Sequence, residues 1–293
     1  MVKKEQVVFI TGASRGFGAA TARELALRGH SVIATMRNPD RDGAAVRDGY
    51  HDQITVTACD VTDRDSVDAA VALALEQHGH IDALFNNAGY GLYGAIEDLS
   101  EEAILRILNT NLVGQIRTAQ AILPSMRARG SGKIINVSSN SGKLVSPLGG
   151  MYSASKHAVE AMSEALRYEV KQFGIDVTAL EPGMYVSDWQ YGSLDLDTNR
   201  SGGVYEAATK RTLELFRNRA ETRPGSRTIG STVADIVELE QPLPMRWPVG
   251  EDTLEMFALR EALTDSQWED WIQDNASDST RGHFFRVLQE QAK

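Results

Sequence analysis

Six short runs of apolar and β-branched residues alternate along the chain with stretches of helical pattern. The runs are Val7–Ile10, Ser31–Met36, Ile54–Ala58, Ile81–Phe85, Lys133–Val137 and Ile175–Leu180. Each is too short for a helix and rich in apolar or β-branched residues, so each predicts a strand, the first of them buried. Between them lie Ala19–Arg28, closed by Gly29, and a stretch from an Asp63 N-cap to about His78. Glu101–Arg129, with a break expected at Pro124, and Tyr152–Phe173 follow. Asp40 is read as loop. Repeated strand–helix–strand units need right-handed crossovers, which build an α/β fold: a doubly wound parallel β-sheet flanked by helices on both faces.

After Gly183 the pattern loosens. Met184–Gly203 has no clear period and reads as either a substrate lid or a surface connection. Val204–Arg219 and Thr232–Glu240 look helical, and Arg246–Val249 offers one more short strand. Residues 1–250 therefore read as one cofactor-binding and catalytic domain, with 251–293 an acidic, partly helical extension of it. The 293 residues carry a net charge of −10, which argues against nucleic acid or an anionic membrane as the main partner. Cys59 is the one cysteine, so no internal disulfide forms. No apolar run approaches the length of a membrane span. The basic start Met1-Val2-Lys3-Lys4 is followed by an apolar run too short for a signal peptide, so a cytoplasmic location is expected. The six histidines show no metal-ligand spacing, and no metal is expected.

The first strand runs directly into Thr11–Gly18, and a helix follows. Gly12, Gly16 and Gly18 let the backbone turn tightly and come close to a pyrophosphate, while the helix start offers N–H groups and a positive dipole end. The spacing, G-x-x-x-G-x-G, resembles that of the short-chain dehydrogenase/reductase family. The resemblance covers Val7 to about Gly250. It rests on several motifs in order: Thr11–Gly18, Asp60-Val61, Asn86–Gly89, Asn111, Ser139, Tyr152, Lys156 and Pro182-Gly183. Arg246–Gly250 and the tail resemble the hydroxysteroid-dehydrogenase-like branch. The resemblance implies a Rossmann-type sheet and an oxidoreductase that interconverts a carbonyl and an alcohol.

It also implies the cofactor. Where members preferring NAD(H) carry an acid at the end of the second strand, this chain has Met36 followed by Arg37, and Arg15 lies inside the glycine loop. Two guanidinium groups suit a 2′-phosphate, so NADP(H) is expected over NAD(H). By the same resemblance, Ser14 and Phe17 of the loop line the cofactor. Asp60 and Val61 hold the adenine, and Asn87, Ala88 and Gly89 line the adenosine side. Pro182, Gly183 and Ser187 orient the nicotinamide, with Ser187 standing where the family often has Thr.

Tyr152 and Lys156 are four residues apart, hence neighbours on one helical face. An ammonium beside a phenol favours the phenolate. The resemblance gives Tyr152 the proton transfer, Ser139 the substrate oxygen, and Lys156 both the lowering of the Tyr152 pKa and the nicotinamide ribose. Asn111 holds a water of the proton relay. Ser138 points the other way on strand alternation. The aromatic group Tyr90, Tyr93, Tyr185, Trp189 and Tyr191 offers walls for a bulky, largely apolar ketone, aldehyde or secondary alcohol. Homodimers or homotetramers, formed through the Tyr152 helix, are implied. Two other readings stay open: a non-catalytic NADP(H)-sensing protein, and an epimerase or lyase-like enzyme on the same fold.

Overall fold

The computed structural model describes residues 5–185, 194–196, 201–210, 214, 225–240 and 242–274. Seven strands form one all-parallel sheet: β1 (Val7–Ile10), β2 (Ser31–Met36), β3 (Ile54–Ala58), β4 (Ala83–Asn86), β6 (Gly132–Val137), β7 (Ile175–Pro182) and β9 (Arg246–Val249). Their order is β3-β2-β1-β4-β6-β7-β9. The order reverses beside β1, between β2 and β4, which opens a crevice at the carboxyl ends of the strands. Two short strands stand apart: β5 (Gly91–Tyr93) pairs in parallel with β8 (Leu194–Leu196).

The sheet is buried on both faces because successive side chains of one strand go to opposite cores. Val8 and Ile10 of β1 pack with Ala22 and Leu25 of α1 (Gly16–Leu27), with Val46 of α2 (Pro39–Arg47), and with Ile229 and Val233 of α7 (Ser226–Glu238). Val7 and Phe9 face the other way. They meet Val67 of α3 (Arg64–His78), Ile122 and Met126 of α5 (Gly114–Arg129), and Val170 at the end of α6 (Gly150–Val170). The six-strand alternation is thus the fold, with Arg246–Val249 as a seventh strand on the edge.

Three local expectations change. Asp40 is not loop: it lies in the first turn of α2, where Asn38 Oδ1 accepts from Arg41 N at 3.1 Å and Pro39 starts the helix. Asn-Pro at a helix start is a cap signal. The break in 101–129 falls between α4 (Glu101–Leu108) and α5, not at Pro124. There the helix widens for one turn, Asn109–Val113, in which Gly114 N–H reaches back to Asn109 O. Pro124 stays inside α5 because it is exposed, so the carbonyl it leaves unpaired, that of exposed Gln120, meets water. Asp63 does cap α3, its carboxylate accepting from Asp65 N and Ser66 N.

The tail adds α8 (Glu251–Ala262) and α9 (Asp265–Asp274). Among the described residues no helix is long and apolar enough to cross a membrane, and no cluster of three or more His, Cys, Asp or Glu could hold a metal. Ser187, Trp189, Tyr191 and the tail past 274 lie outside the described residues.

Candidate active site

The glycine loop is shaped by backbone contacts that leave no room for side chains. Gly12 sits at φ +66° and Gly16 at φ +57°, in the left-handed region that favours glycine. A Cβ on Gly18 would stand 2.5 Å from Gly12 O, and one on Gly12 2.9 Å from Ala88 Cα. The loop is laced to the end of β4. Thr11 Oγ1 accepts from Asn87 N and Ala88 N at 3.0 Å each, and Asn87 Nδ2 donates to Thr11 O and Gly12 O at 3.0 and 3.1 Å. The first turn of α1 has no acidic residue and no side-chain cap, so the positive end of the helix is not internally neutralised. Ser14 is half-buried in the loop, and Phe17 packs edge-on against Tyr185 at 5.9 Å.

At the end of β2, Met36 turns into the core while Arg37 is exposed, as is Arg15. Both guanidinium groups act on one carboxylate. Asp42 is held below the usual range first by its hydrogen bond to Arg41, with the charges of Arg15 and Arg37 adding to it. Basic groups therefore face the start of α2, and sequence reading missed Arg41 and the Asp42 carboxylate that it binds. Asp60 Oδ1 accepts from Thr62 N and Oγ1 at 2.9 and 2.7 Å, which fixes the turn after β3. Val61 is buried against Gly114, and its carbonyl takes Arg117 Nη1 at 3.0 Å. Cys59 beside them is buried, and burial pushes its thiol up to about 11.

Ser139, Tyr152, Lys156 and Asn111 come together at the ends of β6 and β4, all buried. Ser139 follows β6 and its Oγ accepts from Ser141 N at 3.1 Å, capping a tight turn over Asn140–Gly142. Ser139 and the Tyr152 hydroxyl are hydrogen-bonded to each other. Lys156, one turn on, donates from Nζ to Val137 O at 2.8 Å and lies 5.8 Å from the centre of the Tyr152 ring. Asn111 sits in the widened turn. Its Nδ2 donates to Tyr90 O (2.9 Å) and Ser155 Oγ (3.2 Å), and its Oδ1 accepts from Tyr90 N (3.0 Å). Ser155 Oγ in turn donates to Tyr152 O at 2.7 Å, a link sequence reading did not find. Gly89 keeps this junction open, since a Cβ there would be 3.1 Å from Asn111 Oδ1.

Burial dominates the electrostatics of the tyrosine–lysine pair. Burial pushes Tyr152 up to about 12, with only the Ser139 hydrogen bond pulling it back. Burial also pushes Lys156 down to about 8, with Glu160 opposing. Both charged forms are desolvated, and the cost of burial outweighs their mutual attraction. Pro182 and Gly183 complete the edge. Gly183 N donates to Val249 O at 3.0 Å, and a Cβ on Gly183 would come 2.5 Å from Thr253 Oγ1. The Ser138 hydroxyl is buried and has no hydrogen-bond partner among the described residues. Tyr93 stacks on Tyr152 with centroids 6.3 Å apart, and Leu148, at φ +63°, accepts Gly94 N at 2.8 Å beside it.

A parallel sheet with a glycine cradle at its reversal point and a buried tyrosine–lysine–serine group alongside defines a dinucleotide-binding α/β protein of the oxidoreductase kind. Residues 6–194 match the short chain dehydrogenase family. The 3-ketodihydrosphingosine reductase of Bacteroides thetaiotaomicron is 35% identical over 270 residues, covering 92% of this chain and 94% of that protein. A short-chain dehydrogenase from Streptomyces avermitilis superposes with a TM-score of 0.79 at 29% identity, over 94% of this chain and all of that one. A metagenomic short-chain oxidoreductase solved in complex with NADP gives 0.68 at 26% identity, over 85% of this chain and 98% of that one. The chain belongs to the short-chain dehydrogenase/reductase family.

Proposed function

We propose that this protein is an NADP(H)-dependent carbonyl reductase or alcohol dehydrogenase acting on a bulky, largely apolar ketone, aldehyde or secondary alcohol. The observation that carries the reading is the hydrogen-bonded Ser139–Tyr152 pair with Lys156 buried one turn away. It stands on the same sheet edge as a loop whose glycines would clash if given side chains. That cradle fits a dinucleotide pyrophosphate, bound by the backbone of Gly12–Gly18. Arg15 and Arg37 suit a 2′-phosphate, and the NADP complex of a related protein supports the preference. Asp60, Val61, Asn87, Ala88 and Gly89 would hold the adenosine, and Pro182 and Gly183 the nicotinamide end.

When bound, NADPH supplies the hydride that the protein's own groups lack. Tyr152, protonated at neutral pH, gives its hydroxyl proton to the carbonyl oxygen as that oxygen gains charge. Ser139 Oγ donates a hydrogen bond to the same oxygen. Lys156 holds positive charge next to the phenol, which steadies the tyrosinate left behind. Asn111 fixes the Tyr90 backbone and, through Ser155, the Tyr152 turn; a relay water is assigned to it. Burial keeps this phenol protonated at neutral pH, so the proton that reduction needs is in place.

An apolar substrate is supported by Tyr93 on the phenol and by the side chains of Ile96 and Val145, which stay exposed. Asp98 takes Ser201 N and Oγ at 2.6 and 3.0 Å, docking the 201–210 segment beside Ile96. The reductase relative, named for a long-chain keto lipid, agrees with an extended apolar ligand. Cytoplasmic work as a homodimer or homotetramer through α5 and α6 belongs to the same proposal. The test is consumption of NADPH against a panel of long-chain and cyclic ketones and aldehydes, repeated with NADH. Turnover with NADPH supports the reading. NADPH binding without turnover on any carbonyl would favour the sensing protein instead.

A further inference from the structure

Behind the tyrosine–lysine pair lies a cluster of charges that the proposed reaction does not use. Glu181, one residue before Pro182, is fully buried. Its Oε1 lies 3.1 Å from Lys143 Nζ and 3.9 Å from Arg246 Nε, and its Oε2 accepts no hydrogen bond among the described residues. Glu160, one turn beyond Lys156 on α6, is buried too. Its Oε2 takes Arg246 Nε at 3.0 Å, and its Oε1 has no donor among the described residues. Two carboxyl groups thus bracket one guanidinium nitrogen. Glu164, on the same helix, takes Arg246 Nη2 at 2.7 Å.

The other surroundings do little to relieve this crowding. Lys143, from the turn after Ser139, also lies 4.4 Å over the Phe257 ring of α8. Asp252 of α8 stands beside Gly183, the second residue after Glu181. Ser138 Oγ, buried and without a hydrogen-bond partner among the described residues, faces the same space: a Cβ on Gly142 would be 2.5 Å from it and 3.1 Å from Glu160 Oε1. Two buried carboxyls, Glu160 and Glu181, share two partly exposed cations, Lys143 and Arg246, and Arg246 is also engaged by the partly exposed Glu164. Holding one proton is the cheapest way to balance them. Lys156 is anchored on Val137 O, and Val137 faces Leu180 across the β6–β7 ladder, so Glu181 is the next residue along from that anchor.

We propose that Glu181 is a buried, proton-holding carboxyl that, beside Glu160 on the same arginine, tunes the charge on Lys156 as a positioning residue for the reaction read above, on which its catalytic meaning rests. Burial pushes Glu181 up to about 7, with Glu160 adding and Lys143 and Arg246 opposing, while Glu160 favours the Lys156 ammonium. Below that pH Glu181 is neutral. Above it Glu181 is a carboxylate and strengthens the ammonium.

The test is an NMR titration of the whole protein without cofactor, with nitrogen-15 lysine and carbon-13 glutamate labels. It compares wild type with Glu181→Gln, Glu160→Gln and Lys143→Met, and the Lys156 signal is assigned by its loss in Lys156→Met. One glutamate should titrate near pH 7 and vanish in Glu181→Gln. Its midpoint should fall in Glu160→Gln and rise in Lys143→Met. The Lys156 midpoint should drop by about 0.5 pH unit or more in both glutamine variants. With NADPH and a reducible carbonyl, the break in kcat near neutral pH should disappear in Glu181→Gln. A Lys156 midpoint unmoved in Glu181→Gln, or no glutamate titrating near neutrality, overturns the proposal. If Glu181→Gln does not fold, the opposite shifts in the other two variants decide it. If the titrations behave as stated but no carbonyl is ever reduced, the oxidoreductase reading fails and the pair stands.

Discussion

On the nucleotide side of the sheet edge, around β1 and β2, the charged groups sit in water. Arg15 and Arg37 are exposed, and the walls between them are glycine backbone and apolar core. On the catalytic side, from β6 to β9, the charged groups are sealed in: Lys156, Glu160 and Glu181 are all buried. In water, charges attract a ligand but are screened by salt. Away from water they are costly, and their ionisation moves with every neighbour. The first region is built to fit a shape and the second to move a proton, and substitutions in the two regions should fail in different ways.

The largest difference belongs to Tyr152→Phe. It should lower kcat by about 10²–10⁴-fold while changing NADPH affinity far less, read from nicotinamide absorbance and from fluorescence titration. A loss confined to binding would erase the distinction between the two regions. Next is Lys156→Met, which should abolish turnover and yet stabilise the cofactor-free protein by up to about 3 kcal/mol at pH 7. The folded-state value of Lys156, about 8, lies below the ordinary 10.5, so its burden is fully present below pH 8 and fades as pH rises toward 10.5. Melting curves from pH 6 to 10 should show the variant's advantage shrinking. Val137 O keeps a donor in Gln115 Nε2 at 3.2 Å, so the substitution does not orphan it.

On the nucleotide side, Gly18→Ala should cost about 1–3 kcal/mol of stability and weaken NADPH by tenfold or more, because its Cβ would meet the backbone of Gly12 and Ala13 and the amide of Asn87. Wild-type-like affinity would mean the cradle is looser than it looks. The smallest effect is Arg37→Asp, which should shift the NADPH/NADH preference by about tenfold, and by less in high salt. The same salt should leave the pH dependence of kcat in place, since those charges are shielded from it.

The sheet was legible because buried parallel strands leave unbroken apolar runs, and the cradle because only glycine tolerates its backbone. The four-residue spacing showed Tyr152 and Lys156 as neighbours, but singling them out with Ser139 needed the family resemblance, since such a spacing alone is common. The start of α2 carried its signal in Asn38-Pro39, but the charged residues after it read as loop. The widened turn at Asn109–Val113 has no sequence mark, whereas Pro124 looks like a break and is none, because it faces water. The Glu160–Glu181–Arg246 group could not be read at all. Its members lie on three elements far apart in the chain, and only the β6–β7–β9 ladder brings them together.

That ladder also bears on how the protein is made. During synthesis Glu160 and Glu181 emerge well before Arg246, whose strand is added to the edge of the sheet last in chain order. Until β9 docks, two acids destined for the interior lack their arginine, and the catalytic edge has reason to stay open and hydrated. The last strand therefore brings the guanidinium that both buried acids face, and the catalytic edge is complete only when that strand has docked.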